Sequence, residues 1–348
     1  MSIKTAIKQF AVSQGAQLVA FMSVEAYTEY LSEVEQRLHE TRARLEDFMI
    51  SPASYLPSPQ EKTFFSHLAD ARKTLSRCKT IIMLGVYAYD EEALYRNIRQ
   101  ELRGKTARIY SYYPVARQVA ESLAGFIEEH GHKAIQGQHI PLKFAADRIG
   151  MGCYGKNGIL QTKPYGSYVA LRNVLTEVEL APDHFDKTTT CCDKCERCIK
   201  ACPTGALYAP YKVNPRFCIN PITRRETYIE PHIRSKMQNW IHGCDICQEV
   251  CPANKDLKVR QFDPRAGFDP HHHSSHKHLG GMERTPALLP LLSAEYPEII
   301  RRNAAIALAN IGKGHNEALT ALKAQLDDLS SGLEEYFMWA IERIEKER

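Results

Sequence analysis

The sequence predicts a mixed α+β/α/β chain in three parts: an α/β domain, a cysteine-dense domain of short loops, and a helical tail. Three observations lead there. Helix and strand patterns alternate over residues 1–185. Nine of the eleven cysteines crowd into residues 188–255. Beyond residue 283 the apolar positions recur at helical spacing. The expected boundaries are 1–185 for the α/β domain, 186–260 for the cysteine domain, 261–282 for a linker and 283–348 for the tail.

Each element has a local reason. Ile3, Ile7, Phe10 and Ala11 sit at helical spacing, and "AQLVAFMSV" follows as a short buried strand. Residues 25–48 are charged and helical, with Tyr30, Leu31, Val34 and Leu38 on one face. "SPASYLPSPQ" is a Pro/Ser loop, residues 61–77 read as a helix, and "KTIIMLGVYAY" reads as a strong strand. "VARQVAESLAGFIEEHGH" is a helix that stops at Gly131, and "KAIQGQHI" leads out of it. Residues 150–172 are glycine-rich with two short strands. The local G-x-G-x-x-G match there precedes a strand-like run, not the helix a dinucleotide fingerprint needs.

The tail from 283 to 347 reads as helical throughout. Ala304, Ala305, Ala307 and Ala309 line the packing face of a HEAT-like helical pair, and Arg301 and Arg302 read as a solvated face, with phosphate contact as the alternative. One or two such units cannot bury a core alone, so the tail is expected to dock on the main body. "DPHHHSSHKH" in the linker has irregular spacing and reads as a solvated hinge, not a metal site.

Composition narrows the class. The 348 residues are 44% hydrophobic and 25% charged, with a net charge of +4. That balance affords a sizeable core. No apolar run approaches a transmembrane length, and the N-terminus lacks a signal-peptide core. A cytoplasmic chain with reduced thiols and no membrane partner is expected, and its cysteines read as metal ligands.

The cysteine spacing is the most specific signal. From Cys192 it runs C-x2-C-x2-C-x3-C-P, through Cys195, Cys198 and Cys202 to Pro203. Cys218 stands alone, and "GCDICQEVCP" gives Cys244, Cys247 and Cys251. In two-cluster ferredoxins the three close cysteines hold one cubane, and the cysteine before proline reaches the other. Applied here, Cys192, Cys195, Cys198 and Cys251 hold one [4Fe-4S] cluster. Cys202, Cys218, Cys244 and Cys247 hold the second. Zinc would favour well-separated C-x2-C pairs. Cys78 reads as core, Cys153 as packing or facing a cofactor, and Cys191 as a spare thiol.

The order "GMGCYGKNGILQTKPYGSYVAL", "CCDKCERCIKACPTGAL", "RFCIN" and "HGCDICQEVCPANK" resembles the epoxyqueuosine reductases, whose superfamily includes the reductive dehalogenases. The resemblance covers residues 135–310 well and 1–134 in outline. It implies a nitroreductase-like or reductive-dehalogenase-like α/β domain holding cobalamin, a bacterial-ferredoxin-like double-cluster domain and a HEAT-like tail that helps grip tRNA. It implies electrons passing through both clusters to cobalamin, and removal of the epoxide oxygen from epoxyqueuosine in a tRNA anticodon. Carried over by position, Lys156, Asn157, Gly158, Ser167, Tyr168, Asn220 and His242 lie near cofactor or cluster. An external donor such as a flavodoxin or ferredoxin, and a monomer, are the expected partners and state.

Two segments depart from the family pattern. Its Asp-Thr-Gly/Ala-Pro segment, whose aspartate is the proposed proton donor, is matched by "GQHIPLKFAADRIGMG", with no aspartate before Pro141. Gln138 and His139 sit nearest, and a histidine can donate a proton near neutral pH. The family's Arg-Asp-Tyr-His-like run is replaced by "ARIYSYYPVARQVAE". The alternatives are a two-cluster electron-transfer protein serving a partner enzyme and a corrinoid-dependent reductase of a small molecule.

Overall fold

The computed structural model describes residues 2–29, 32, 70–90, 101–137, 140–184, 191–261, 263–266 and 285–346. They form two compact units. The first comprises Met1–Tyr87, Val115–Cys153 and Val169–Thr189; the second comprises Ala88–Pro114, Tyr154–Tyr168 and Thr190–Arg348.

The first unit is built on a four-stranded sheet. Its strands lie in the order Leu18–Ser23, Thr80–Tyr87, Val169–Thr176, Ala134–Gly137. Every pairing is antiparallel, with Met83 opposite both Ala20 and Asn173. Among the described residues the unit is therefore α+β: the helix–strand alternation is present, but it feeds no parallel pair. All eight positions of Thr80–Tyr87 are buried, as the apolar side chains Ile81–Leu84 and Val86 require. The opening helix, Ile3–Ser13, starts at Ser2, whose hydroxyl accepts from Thr5 N at 3.2 Å, and buries Ile7 and Ala11 one turn apart. The expected helix over 61–77 shows only a 3-10 turn, Ala71–Lys73, among its described residues.

The helix Arg108–Glu129 begins seven residues before the sequence pattern suggested and contains Pro114. Its start has a remote cause. The carboxylate of Asp245 accepts from Arg108 N at 2.9 Å and satisfies one of the free N–H groups at the helix start.

Among its described residues the second unit has a large shared hydrophobic core. Trp240, Ile241, Ile219 and Ile222 pack in the same cluster as Ile300, Ile306, Leu308, Phe337 and Ile344 of the tail. The tail thus shares its core with the cysteine-bearing segments, as the shortness of its helices demanded. It is not helical throughout. Prolines 286, 290 and 297 leave only the 3-10 turn Pro290–Leu292 before the helices Glu298–Ile311, Asn316–Lys323 and Ser331–Lys346.

Ala304, Ala305, Ala307 and Ala309 are buried, but so are Arg301, Arg302 and Asn303. The two arginines are not a solvated face. Arg301 Nε donates to Leu292 O at 2.9 Å, and Arg302 donates to Ile222 O at 2.7 Å and Thr227 O at 2.9 Å. Burial pulls the Arg302 guanidinium down to about 10, so it remains charged at neutral pH. Asn303 Nδ2 donates to Thr223 O at 2.7 Å and Ile241 O at 2.8 Å. Among the described residues no helix is long and apolar enough to cross a membrane. The histidine-rich run 269–278 lies outside the described residues.

Candidate metal centre

Short elements set each cysteine in place within the second unit. Cys198 lies in the single-turn helix Arg197–Ala201, and Cys202 ends it. Cys218 precedes the turn Ile219–Ile222. Cys244 follows the strand Trp240–His242, Cys247 lies in Ile246–Glu249, and Cys251 precedes the 3-10 turn Pro252–Asn254. Pro203 and Pro252 cannot donate a backbone hydrogen bond, so each helps end the turn that carries a cysteine.

The structure brings these thiols into two sets. Cys198 feels the charge of Cys192 and Cys251, and Cys251 that of Cys192 and Cys195. Cys218 feels Cys202, and Cys244 feels Cys247 and Cys218. Cys247 feels Cys218 and, across the sets, Cys198. The first set lines a cavity of about 220 Å³ together with Asn157, Gln161 and Asp193. All eight thiols are free.

Burial pushes the thiols up: Cys218 to about 11, and Cys198, Cys244, Cys247 and Cys251 in the same direction. Backbone N–H groups oppose it, from Ile199 at Cys198, Asn220 at Cys218, Ile246 at Cys244 and Ala253 at Cys251. Such donors favour the charged sulfur once a metal displaces the proton. Four soft sulfur donors per set suit an iron–sulfur cubane. Among the described residues, no three or more His, Cys, Asp or Glu side chains gather as a single-ion site would require. A cubane spreads its ligands more widely than one zinc ion does.

The second set is braced by a buried ion pair. Arg108 Nη1 lies 3.5 Å from Asp245 Oδ2, with side chains 1% and 0% exposed. Burial raises the Asp245 carboxyl to about 6, and Arg108 acts against that rise. Gln248 Nε2 donates to the other carboxylate oxygen at 3.0 Å. Gln248 Oε1 in turn accepts from Ser167 at 3.0 Å, and Asn254 Nδ2 donates to Ser167 Oγ at 2.8 Å. The glycine-rich segment is thereby tied to the loop that carries Cys247 and Cys251.

The other residues singled out from sequence lie around this frame. Lys156 Nζ donates to Asp193 O at 2.8 Å. Buried Asn157 accepts from Ile159 N at 3.2 Å, and Gly158 follows it at φ +73°. Tyr168 is buried against Tyr89. Asn220 Oδ1 accepts from Tyr110 at 2.6 Å, and His242 meets the Tyr110 ring edge-on at 4.6 Å. Gln138 and His139 lie outside the described residues.

Cys78 is a buried core thiol, pushed up to about 11 by burial. Cys153 is buried, and both it and Cys191 are disulfide-bonded, so Cys191 is not a spare thiol and Cys153 offers no free thiol to a cofactor. Sequence reasoning missed Gln161, Arg108 and Asp245. The last lies between two cysteines of one run, which was the available signal.

Residues 191–254 match the family described as the 4Fe-4S double cluster binding domain. An epoxyqueuosine reductase of Listeria monocytogenes is 36% identical over 42% of this chain and 35% of its own length. One from Lactococcus garvieae is 28% identical over 99% of this chain and 97% of its own. One from Atelocyanobacterium thalassa is 30% identical over 57% and 67%. The alignment to the Listeria protein thus spans about a third of that relative, whereas the Lactococcus alignment is nearly end to end.

Among solved structures, an epoxyqueuosine reductase of Bacillus subtilis, with its catalytic loop swung out of the active site, superposes with a TM-score of 0.77. It is 25% identical and covers 98% of this chain and 90% of its own. An epoxyqueuosine reductase with an epoxyqueuosine-modified tRNA stem loop gives the same TM-score, identity and coverage. With its cysteine segment matching a double-cluster domain and its relatives aligned along both units, this chain belongs to the epoxyqueuosine reductase family.

Proposed function

We propose that this chain reduces epoxyqueuosine to queuosine in tRNA. The observation that carries the reading is the pair of thiol quartets gathered in one compact unit. In this reading Cys192, Cys195, Cys198 and Cys251 hold one [4Fe-4S] cluster, and Cys202, Cys218, Cys244 and Cys247 the other. The clusters relay single electrons from an external flavodoxin or ferredoxin, and cobalamin, when bound, supplies a strongly reducing nucleophile. Overall, two electrons and two protons convert the epoxide to an alkene and water.

The chain's own residues have assigned parts. Lys156 and the backbone at Gly158, partly exposed, are the proposed cofactor contacts. Asn157, Ser167, Tyr168, Asn220 and His242 are buried or hydrogen-bonded within the unit and would hold the wall behind them. His139 is the proposed proton donor in place of the family's aspartate. The HEAT-like tail is the proposed tRNA grip, and the chain works as a monomer.

The missing aspartate favours one second reading, a paralogue that keeps the electron path and reduces a different acceptor. Anaerobic purification with added cobalamin tests the cofactor: clusters without a bound corrinoid spectrum would count against it. Deletion of the gene tests the substrate. Loss of queuosine from tRNA, restored by the wild-type chain, supports the first reading; unchanged queuosine in a strain with no second such reductase refutes it.

A further inference from the structure

The geometry points to Gln161 as the residue that sets the reduction potential of the cluster at Cys192, Cys195, Cys198 and Cys251. This rests on the iron–sulfur reading above. Gln161 ends the two-residue strand Leu160–Gln161, and its side chain is 7% exposed at the wall of the first quartet's cavity. Its Nε2 lies 3.4 Å from Cys251 Sγ and 3.8 Å from Cys192 Sγ. Both are within reach of an N–H···S bond, because sulfur is larger than oxygen. One amide carries two N–H groups, so a single side chain addresses both the local three-cysteine run and the distant fourth ligand.

The local backbone is shaped for this. A Cβ on Gly155 would lie 2.6 Å from Gln161 Nε2 and 2.7 Å from Asn157 Oδ1. Glycine at 155 therefore leaves the room that two amides occupy. The second amide, Asn157, is turned by accepting from Ile159 N, and it favours the charged form of Cys247 in the other quartet. One glycine turn thus delivers an amide to each set of thiols.

The physical consequence follows from charge. Reduction adds an electron to the cluster and negative charge to its ligand sulfurs. A buried N–H donor favours the more negative form and raises the potential. Among the described residues the Gln161 side chain makes no other hydrogen bond, so its removal changes the first quartet and leaves Asn157 and the second quartet in place. Gln161 is a positioning and tuning residue that touches ligand sulfur; it holds no proton or substrate.

The test uses the full chain, reconstituted anaerobically with iron and sulfide, and an EPR-monitored redox titration. With Gln161→Leu we expect full iron and sulfide content, one cluster signal shifted to more negative potential, and the other unmoved. Gln161→Glu, nearly isosteric but an acceptor with negative charge, is expected to shift the same signal further. If the leucine variant loses iron, the glutamate variant carries the test. Filled clusters with both potentials at the wild-type values overturn the proposal. A wild-type chain that takes up no iron overturns the cluster reading itself, a separate outcome.

Discussion

Replacing Asn303 with leucine tests whether the tail holds the second quartet in shape. Asn303 is fully buried and donates to two backbone carbonyls, at Thr223 and Ile241. The Thr223 hydroxyl accepts from Gly243 N at 2.8 Å, next to Cys244, and bonds back to Ile219 O, next to Cys218. One side chain therefore fixes the backbone beside two cysteines. Leucine fills the volume but leaves both carbonyls without a donor and removes the Oδ1 acceptor that Arg302 uses at 3.1 and 3.2 Å.

A buried group stripped of its partner costs about 1–3 kcal/mol, so two carbonyls put the loss at about 2–6 kcal/mol. Leucine's apolar burial offsets part of this, and we expect about 3–5 kcal/mol. That is a large share of the roughly 5–15 kcal/mol of a typical domain. The assay is equilibrium urea unfolding followed by tryptophan fluorescence. Both tryptophans, Trp240 and Trp339, lie in the second unit, and Trp240 adjoins Ile241. The same variant should lose the signal of one cluster before the other. A loss below about 1 kcal/mol with both clusters filled would refute the reasoning.

Three further outcomes are expected. Cys251→Ala should abolish the same cluster signal as Cys192→Ala, and Cys202→Ala the same signal as Cys218→Ala, by EPR and iron content; matching losses between Cys202 and Cys192 would break the crossed assignment. Gly243→Ala should cost about 2–4 kcal/mol in urea unfolding, because φ is +74° and the new Cβ would lie 2.5 Å from the Tyr110 ring and 2.6 Å from Ala107. Asp263→Asn should cost about 1–2 kcal/mol near pH 7. Arg265 and Arg260 hold the Asp263 carboxyl below its ordinary range. This stability is present above the unfolded carboxylate range and is lost as pH falls through the lowered folded value. The gap between wild type and variant in pH-dependent unfolding should therefore close in acid; a constant gap would sink the account.

What the sequence disclosed depended on how local the cause was. Thr80–Tyr87 was legible because so apolar a run, with Ile81–Leu84 at its centre, has few uses other than a doubly covered strand. The double-cluster segment was legible because cluster chemistry demands close spacing, which the chain order writes down directly. The start of the helix at Arg108 was not, since its N-terminal N–H is satisfied by Asp245, 137 residues away. The aromatic run and Pro114 gave no local start signal. Arg301 and Arg302 were misread because arginine is usually solvated. Here the guanidinium of Arg302 replaces water with three carbonyl and amide oxygens. Gln161 was invisible for a related reason: an amide meets a sulfur only after the chain has folded.

The interleaving of the two thiol quartets bears on synthesis. The first three cysteines leave the ribosome together, yet the proposed fourth member of their set is Cys251, the last of the eight. The other set opens with Cys202 and waits for Cys247. Neither set has all four thiols until nearly the whole second run is made, and the core that steadies it is finished only by Phe337 and Ile344. Under the proposed crossed assignment neither cluster could close before the second cysteine run is made, and a ribosome stalled before residue 244 would expose a half-built, oxygen-sensitive thiol run with no cluster to protect it.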